Sequence, residues 1–420
     1  MIKRLKQNSF FKAISLLASG SILGQIIGFL GSIIMTRLYT KEAIGAMTLV
    51  VAVTGMFGPV INGRFDYAIV KERDENRANS LIALAIIIGC IFSVLVSIGS
   101  LFYFNTQEEA LSPIIAAIFV LVILLTIGFT NVFRSYNNRI EDYKTMTWVI
   151  VIRKIAEEGS KAIFGLLHGG YVFLLVSRLL GEFFGMRQQT IHICTKYSEI
   201  INQTRSRLLD VYKVHRKQLY FSTPAALMNS ASYYILSLFI VDLFGVSELA
   251  VYSISVSVLG LPLSVISGNV SKVYFSEASK EYVETGNFKR STKKTILILL
   301  ALSIVVFAGM FWIIPILVPL VYGSGYLGAG EYIRILAPMF TIRFITSSVA
   351  TGLVVANKQQ QDLYLQGGFI LAAVITFFIS KTSEYSISTF LILISALYAI
   401  VYLLYLLFVV KASRGVTLKK

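Results

Sequence analysis

The sequence predicts an all-α integral membrane protein with about twelve transmembrane helices. Of its 420 residues, 56% are hydrophobic and 14% are charged, whereas a soluble domain carries about 25% charged residues. Apolar stretches recur along the chain at the length of about 20 residues that an α-helix needs to cross a bilayer. Membrane β-strands are shorter and alternate apolar with polar residues, so these continuous stretches favour helices.

The distribution of basic residues orients the predicted helices. The formal net charge is +16, and nearly all Lys and Arg outside the spans lie in alternate loops. The loops of the other side contain only Arg37, Lys41 and Lys381. This is the positive-inside pattern, so both termini are expected in the cytoplasm, and the excess charge does not indicate nucleic-acid binding. The predicted spans are 13–37, 43–69, 79–104, 112–134, 146–167, 170–193, 219–243, 248–275, 293–317, 331–355, 362–380 and 387–410.

The spans are expected to form two six-helix bundles, residues 1–194 and 219–420, joined by a basic cytoplasmic linker at 195–218. A low-identity internal repeat between residues 38–63 and 244–269 supports this division. Because six helices separate the repeats, they share one orientation and are related by a pseudo-twofold axis along the membrane normal. The linker is interpreted as a solvated loop that sets orientation, with binding of anionic lipid headgroups as the alternative.

The fifth predicted span contains five charges within an apolar segment. Each charge at the bilayer centre costs about 2.5–3.5 kcal/mol, whereas an apolar residue contributes only about 0.3–0.6 kcal/mol. This helix is therefore expected to face partner helices or a water-filled cavity, which makes it a candidate functional site. The charged residues are Arg153, Lys154, Glu157, Glu158 and Lys161.

The sixth span repeats the charged pattern with Arg178 and Glu182, four residues apart. Because this helix returns toward the cytoplasm, Arg178 is expected at a depth where it meets Glu157 or Glu158. Mutual neutralisation and a role in binding substrate both stay open at this point.

Two earlier spans carry further signals. In the second span, Pro59 predicts a kink, and Arg64 and Asp66 follow toward the cytoplasmic end, where snorkelling is the alternative to a functional role. In the first span, Gly20, Gly24 and Gly28 form two overlapping G-x-x-x-G units, with Gly31 beyond, which predict close packing against another helix.

The tenth span places Arg343 near mid-depth with no acidic residue close to it in the span. It is expected to be unpaired and to contact an anion, because a guanidinium donates two parallel hydrogen bonds to phosphate. A bond to backbone carbonyls is the alternative.

Signatures of enzymes, metals and cofactors are missing from the sequence. It has no G-x-x-x-x-G-K-[ST] loop for ATP, and His168, His192 and His215 lack metal-ligand spacing. Cys90 and Cys194 are interpreted as ordinary residues of membrane helices. The sequence therefore predicts a protein that is not an enzyme and that uses no cofactor or metal.

Three stretches, residues 63–70, 212–229 and 322–361, resemble a known family. Together they are similar to the Wzx-type polysaccharide flippases of the multidrug/oligosaccharidyl-lipid/polysaccharide exporter (MOP) superfamily, which act in O-antigen, lipopolysaccharide and capsule pathways. The resemblance implies two helical bundles around a central cavity that work by alternating access, in the inner (plasma) membrane. The implied cargo is an undecaprenyl-pyrophosphate-linked oligosaccharide, and the implied partners are membrane lipids, a polysaccharide polymerase and chain-length proteins.

The alternatives to a flippase are a drug exporter of the same fold and an integral-membrane polysaccharide polymerase or glycosyltransferase.

If the protein is a flippase, its charged residues take two roles. The predicted substrate-binding residues are Arg343, Arg153, Arg64, Arg178, Lys154 and Lys161. The residues predicted to pair charges or couple ions are Glu157, Glu158, Glu182 and Asp66.

Overall fold

A computed structural model describes residues 2–107 and 111–415, with side chains from residue 16 onward. Every regular element in this part of the chain is helical, which confirms the all-α prediction. The chain divides into two compact units, Met1–Leu238 with Gly245–Ser247, and Phe239–Phe244 with Glu248–Lys420. The bundle boundaries at residues 194 and 219 are still a prediction.

The first unit is built from helices that follow one another along the chain. A 3₁₀ turn at residues 58–60 interrupts the series, and a π-helical turn at 218–222 leads into the last helix, whose end belongs to the second unit. The helices are α1 (Ile2–Leu38), α2 (Lys41–Phe57), α3 (Phe65–Lys71), α4 (Glu75–Asn105), α5 (Pro113–Arg139), α6 (Tyr143–Leu166), α7 (Tyr171–Gln189), α8 (Ile191–Cys194), α9 (Tyr197–Ile201), α10 (Arg205–Lys217) and α11 (Thr223–Phe244).

The second unit contains the remaining helices. They are α12 (Val246–Pro262), α13 (Gly268–Thr285), α14 (Lys289–Trp312), α15 (Ile314–Tyr322), α16 (Leu327–Val349), α17 (Gly352–Val355), α18 (Gln359–Thr382) and α19 (Ile387–Ser413). Short helices such as α15 and α17 flank the long α16, which carries the predicted tenth span.

Ten helical segments of the described chain are long and apolar enough to cross a membrane. The protein is therefore a multi-spanning helical membrane protein, while the count of twelve is still a prediction. The two predicted spans outside this set correspond to α6 and α7, which have 24 and 19 residues. Both have sufficient length, but charged side chains lower their apolarity.

The predicted kink at Pro59 is a complete break in the second span. The 3₁₀ turn at 58–60 and the left-handed backbone conformation of Arg64, whose φ is 61°, separate α2 from α3. Two asparagines bind backbone carbonyls that the break exposes or borders. Asn62 donates to a carbonyl of α4 at 3.0 Å, and Asn131 donates to the first carbonyl of the turn at 3.1 Å. The Asn131 bond gives a partner to a carbonyl at the break, and the Asn62 bond ties the break to α4. Both matter because buried polar groups without partners are costly.

The second repeat loses regular α-helix at the corresponding place. After Pro262 the chain passes through a π-helical turn at 263–267 before α13 begins. Proline lacks the amide hydrogen that the helix needs, and a π-turn accommodates the change. In the alignment of residues 38–63 with 244–269, this π-turn lies opposite the 3₁₀ turn of the first repeat.

The glycine strip of α1 packs against α6, which confirms the packing interpretation. A Cβ atom at Gly20 would lie 2.5 Å from Thr147, and one at Gly31 would lie 2.2 Å from the Glu158 carboxylate. Only glycine permits this approach without displacing α6. The strip therefore brings the α1 backbone directly against the charged segment of α6.

The linker is helical and folded against the first unit, so the prediction of a loop is wrong, although most of its side chains are exposed as expected. It forms α9 and α10, and it buries Ile200 and Val211 in the apolar core between α3, α4 and α5. Polar contacts tie it to α4: Asn79 donates to Glu199 at 2.8 Å, and Ser80 donates to the linker's Gln203 at 2.6 Å. The basic segment thus has a defined position, with one face covered and the other exposed.

Candidate functional site

The charged residues of α6 and α7 form one connected network in the first unit, which we call the α6–α7 cluster. It comprises four cations and three carboxylates. Helices α6 and α7 approach closely because Gly181 and Gly185 face Arg153 and Glu157, where any Cβ would lie within 3 Å. The members are Arg153, Lys154, Glu157, Glu158, Lys161, Arg178 and Glu182.

Glu157 is the centre of the cluster. Its carboxylate lies 2.9 Å from the Lys154 ammonium, 2.9 Å from the Lys161 ammonium and 3.2 Å from the Arg178 guanidinium. The last contact crosses from α6 to α7. Arg178 therefore lies where the sequence placed it, within reach of a carboxylate of the fifth predicted span.

The other two carboxylates close the network. Glu182 pairs with Arg153 across the helices and lies 3.5 Å from Arg178 on its own helix. Glu158 lies 3.0 Å from Lys161 and 3.7 Å from Lys154. Each cation thus contacts at least one carboxylate, and three of the four contact two.

The acids are covered while most of the cations are accessible. The Glu182 side chain is 1% exposed, and Glu157 and Glu158 are similarly buried. The Arg153 and Arg178 side chains are each 26% exposed. Buried carboxylates need paired cations because desolvation is costly. The carboxylates therefore hold the cations in place, and the cluster presents a surplus of one positive charge through its arginines and Lys154.

Lys161 differs from the other cations because its side chain is only 8% exposed. Its ammonium donates to both Glu157 and Glu158, and the hydroxyl of Tyr39 donates to its backbone carbonyl at 2.8 Å. Its contacts are thus internal to the first unit.

A capped helix terminus fixes the start of α6. The Asp142 carboxylate accepts a hydrogen bond from the Thr145 amide at 3.1 Å and lies 3.2 Å from the His192 ring. Burial alone would raise the pKa of Asp142. The hydrogen bonds from Thr145 and His192 outweigh this effect, so the pKa is below its ordinary value. This cap lies outside the apolar part of the helix.

A second group of charges surrounds the break between α2 and α3. The Arg64 guanidinium lies 3.7 Å from the centre of the Tyr67 ring, and its buried Nε makes no hydrogen bond with the described residues. Asp66 is buried, and both Arg64 and Arg134 lie within electrostatic range of it. Arg134 also repels Arg153 electrostatically, so this group and the α6–α7 cluster lie within electrostatic range of each other.

Sequence reasoning missed Arg134 as a site residue. It is the last residue of the predicted fourth span, 112–134, where a basic residue is expected at the cytoplasmic end. Helix α5 continues to Arg139, so Arg134 lies inside the helix, where its side chain is exposed. The sequence feature that could have indicated this is that α5 extends five residues beyond Arg134, which is more than one helical turn.

Arg343 lies half-buried on α16 in the second unit. Its guanidinium lies 5.0 Å from the centre of the Phe340 ring, a distance at which cation–π attraction operates. The prediction that this arginine is unpaired is therefore wrong, because an aromatic partner lies one turn away. No group of three or more potential metal ligands occurs among the described residues.

Comparison with solved structures identifies the class of fold. An inward-facing multidrug resistance MATE family transporter of the MOP superfamily aligns with a TM-score of 0.72 at 15% identity, over 94% of this chain and 96% of that chain. A MOP superfamily transporter from Pyrococcus furiosus aligns with a TM-score of 0.62 at 16% identity, over 96% of both chains. An outward-facing MATE family transporter also gives 0.62 at 16% identity, over 96% of this chain and 95% of that chain. The fold is therefore that of MOP-superfamily transporters.

Within that class, the chain belongs to the polysaccharide biosynthesis protein family, whose model matches residues 34–331, well over half of its length. No curated protein sequence gives a significant match. The family and the fold together confirm the resemblance found in the sequence.

Proposed function

We propose that this protein is a flippase that moves an undecaprenyl-pyrophosphate-linked oligosaccharide from the inner to the outer leaflet for assembly of a surface polysaccharide. The observation that carries the proposal is the polarity of the α6–α7 cluster in a member of the polysaccharide biosynthesis family. Its carboxylates are buried, while Arg153 and Arg178 are partly exposed. Guanidinium groups suit a pyrophosphate because they donate paired hydrogen bonds to phosphate oxygens.

The cargo contacts are assigned to the accessible cations. In the first unit these are Arg153, Lys154 and Arg178, with Arg64 and the newly identified Arg134 beside them. Lys161 is enclosed by two carboxylates, so we assign it to the support of the cluster rather than to the cargo. Of the four carboxylates predicted to pair charges or couple ions, Asp66 alone lies outside the cluster, and it is the candidate for ion coupling.

In the second unit, Arg343 is the proposed cargo contact. It lies in the interior of a 23-residue helix, and its guanidinium lies 5.0 Å from the centre of the Phe340 ring. A guanidinium can donate paired hydrogen bonds to a phosphate, which suits this cargo.

The proposal includes twelve spans, with both termini cytoplasmic, in the plasma membrane. Helices α6 and α7 have 24 and 19 residues, which correspond to about 36 and 29 Å at 1.5 Å per residue. Transmembrane helices have about 17–25 residues, so both helices have the necessary length. Together with the ten apolar segments they give twelve spans. An even number of spans places both termini on the same side of the membrane.

The membrane potential supplies a driving force for this direction. An inside-negative potential favours outward movement of an anion by about 2.3 kcal/mol per charge for each 100 mV. A pyrophosphate headgroup therefore moves outward without nucleotide hydrolysis. Alternating access would expose the cations first to the inner and then to the outer side.

The first alternative is a drug exporter of the same fold. The reported reverse polarity of the binding pocket in the Pyrococcus furiosus transporter was taken to suggest a different function for that protein. In this chain the polarity of the α6–α7 cluster favours an anionic cargo, because a site for cationic drugs would expose the carboxylates that this cluster buries. The second alternative, a polysaccharide polymerase or glycosyltransferase, predicts that the purified protein incorporates labelled sugar.

Flipping of a fluorescent undecaprenyl-pyrophosphate-linked oligosaccharide in proteoliposomes tests the proposal. We expect Arg343→Lys to transport partially, because it retains charge and loses the planar fork. Arg343→Glu and Arg153→Glu are expected to fail although they reach the membrane. The exposed Arg334 on the same helix supplies the control, and Arg334→Glu should retain activity. Wild-type rates from both Arg343→Glu and Arg153→Glu would contradict the proposal.

A further inference from the structure

The exposed face of α10 and the turn that follows it combine basic and large apolar side chains. One face of α10 is covered, since Val211 is buried in the core of the first unit. The other face carries exposed residues at helical spacing along the whole element. They are the basic residues Arg205, Arg207, Lys213, Arg216 and Lys217 and the apolar residues Leu209, Val214, Tyr220 and Phe221.

The basic residues of this face have few acidic partners. The one acid on α10 is Asp210, which lies 3.8 Å from Arg77 of α4. None of the five exposed cations is within ion-pair distance of an acid among the described residues. The face therefore carries an uncompensated positive charge, which is suited to an anionic surface.

The apolar residues distinguish a lipid surface from other anionic partners. Val214 is 56% exposed and Phe221 is 72% exposed. A soluble phosphate or nucleic-acid backbone gives such side chains nothing to bury against. Acyl chains do, and amphipathic helices at membrane surfaces combine basic residues with aromatic and aliphatic residues.

The connection to α11 places this face at the membrane boundary. Helix α10 continues through the π-helical turn at 218–222 into α11, within one helical segment that is apolar enough to span a membrane. In the turn, the Tyr220 hydroxyl lies 2.7 Å from the Tyr212 hydroxyl. Tyrosine and basic residues at the end of a span are typical of the headgroup level.

We propose that the exposed face of α10 and its π-helical turn is a binding site for anionic phospholipid headgroups of the inner leaflet. The cations contact the lipid phosphates, and Val214 and Phe221 insert among the upper acyl chains. The leaflet assignment rests on the orientation in the proposed function, whereas the binding itself does not depend on transport.

Fluorescence quenching by brominated lipids in nanodiscs tests the site on the full chain. Tyr220→Trp is introduced with Trp148→Phe and Trp312→Phe, so that the reporter is the sole tryptophan. The nanodiscs contain unlabelled phosphatidylcholine with a few per cent of either brominated phosphatidylglycerol or brominated phosphatidylcholine. We expect several-fold stronger quenching by the anionic lipid, and addition of inorganic phosphate should leave it unchanged.

Two charge variants make the test specific. Lys213→Gln, Arg216→Gln and Lys217→Gln together should bring the quenching by the two lipids close together. The several-fold difference in quenching should fall to nearly one, because these cations supply most of the attraction to an anionic headgroup. Lys289→Gln, Lys293→Gln and Lys294→Gln remove the same charge from an exposed part of α14 and should preserve the preference.

Equal quenching by the two lipids in the reporter protein would overturn the proposal, whether or not the charge variants fold. Loss of the preference on addition of inorganic phosphate would also overturn it, because the site would then bind free phosphate. Failure of cargo transport with an intact lipid preference would count against the proposed function alone.

Discussion

The enclosure of Lys161 predicts that removing both of its carboxylates is far worse than removing either one. The Lys161 side chain is 8% exposed, and its ammonium lies 2.9 Å from Glu157 and 3.0 Å from Glu158. In the double variant Glu157→Gln, Glu158→Gln, the ammonium has no carboxylate within ion-pair distance among the described residues. Stranding a buried charge in this way costs about 3–5 kcal/mol in the free energy of unfolding.

The single variants supply the first comparison. Glu157→Gln and Glu158→Gln each leave one carboxylate about 3 Å from the ammonium, so each should lose much less than the double variant. Residues in one network couple by about 0.5–3 kcal/mol, so the double loss should exceed the sum of the two single losses.

Removal of the lysine supplies the second comparison. Lys161→Met keeps most of the side-chain volume and eliminates the stranded charge, so it should restore a large part of the stability of the double variant. The free energy of unfolding is measured from the loss of helicity with increasing SDS in mixed micelles. A double variant as stable as the wild type would refute the reasoning, as would a further loss when Lys161→Met is added.

Three further predictions concern the rest of the chain. In a cysteine-free background, a cysteine at position 383 should react with impermeant thiol reagents from outside intact cells and one at 206 only from inside; outside labelling of Ser206→Cys would contradict the proposed orientation. Gly45→Ala should destabilise the protein by about 1–3 kcal/mol, because its Cβ would lie 1.9 Å from the backbone carbonyl of Val246, the first residue of α12. Gly159→Ala, with nothing within 4 Å, should be tolerated in the same SDS titration. Asp142→Ala should cost about 0.5–2 kcal/mol at neutral pH. Because folding lowers the pKa of Asp142, its stabilisation is present above the unfolded-state pKa of about 3.9 and disappears as the pH falls through the folded value; a cost that is unchanged well below pH 3.9 would contradict this.

The sequence by itself determined the class of the protein and the location of its unusual chemistry. Long apolar stretches allow only helices that satisfy their own backbone hydrogen bonds in lipid, so the all-α membrane architecture followed from composition and length. Charges such as Arg153 and Glu157 stood out because an apolar background makes each of them costly. The break at Pro59 and the packing of the α1 glycines were local signals of the same kind.

Only the tertiary structure decided how the charges are distributed among their partners. One-dimensional spacing gave the i, i+4 pairs within α6, but the contacts of Glu157 with Arg178 and of Glu182 with Arg153 depend on how closely α6 and α7 approach. The same holds for the enclosure of Lys161, the placement of Arg134 inside α5 and the ring beside Arg343. Burial depends on which helices surround a side chain, and a single sequence specifies that only through the packing of the whole unit.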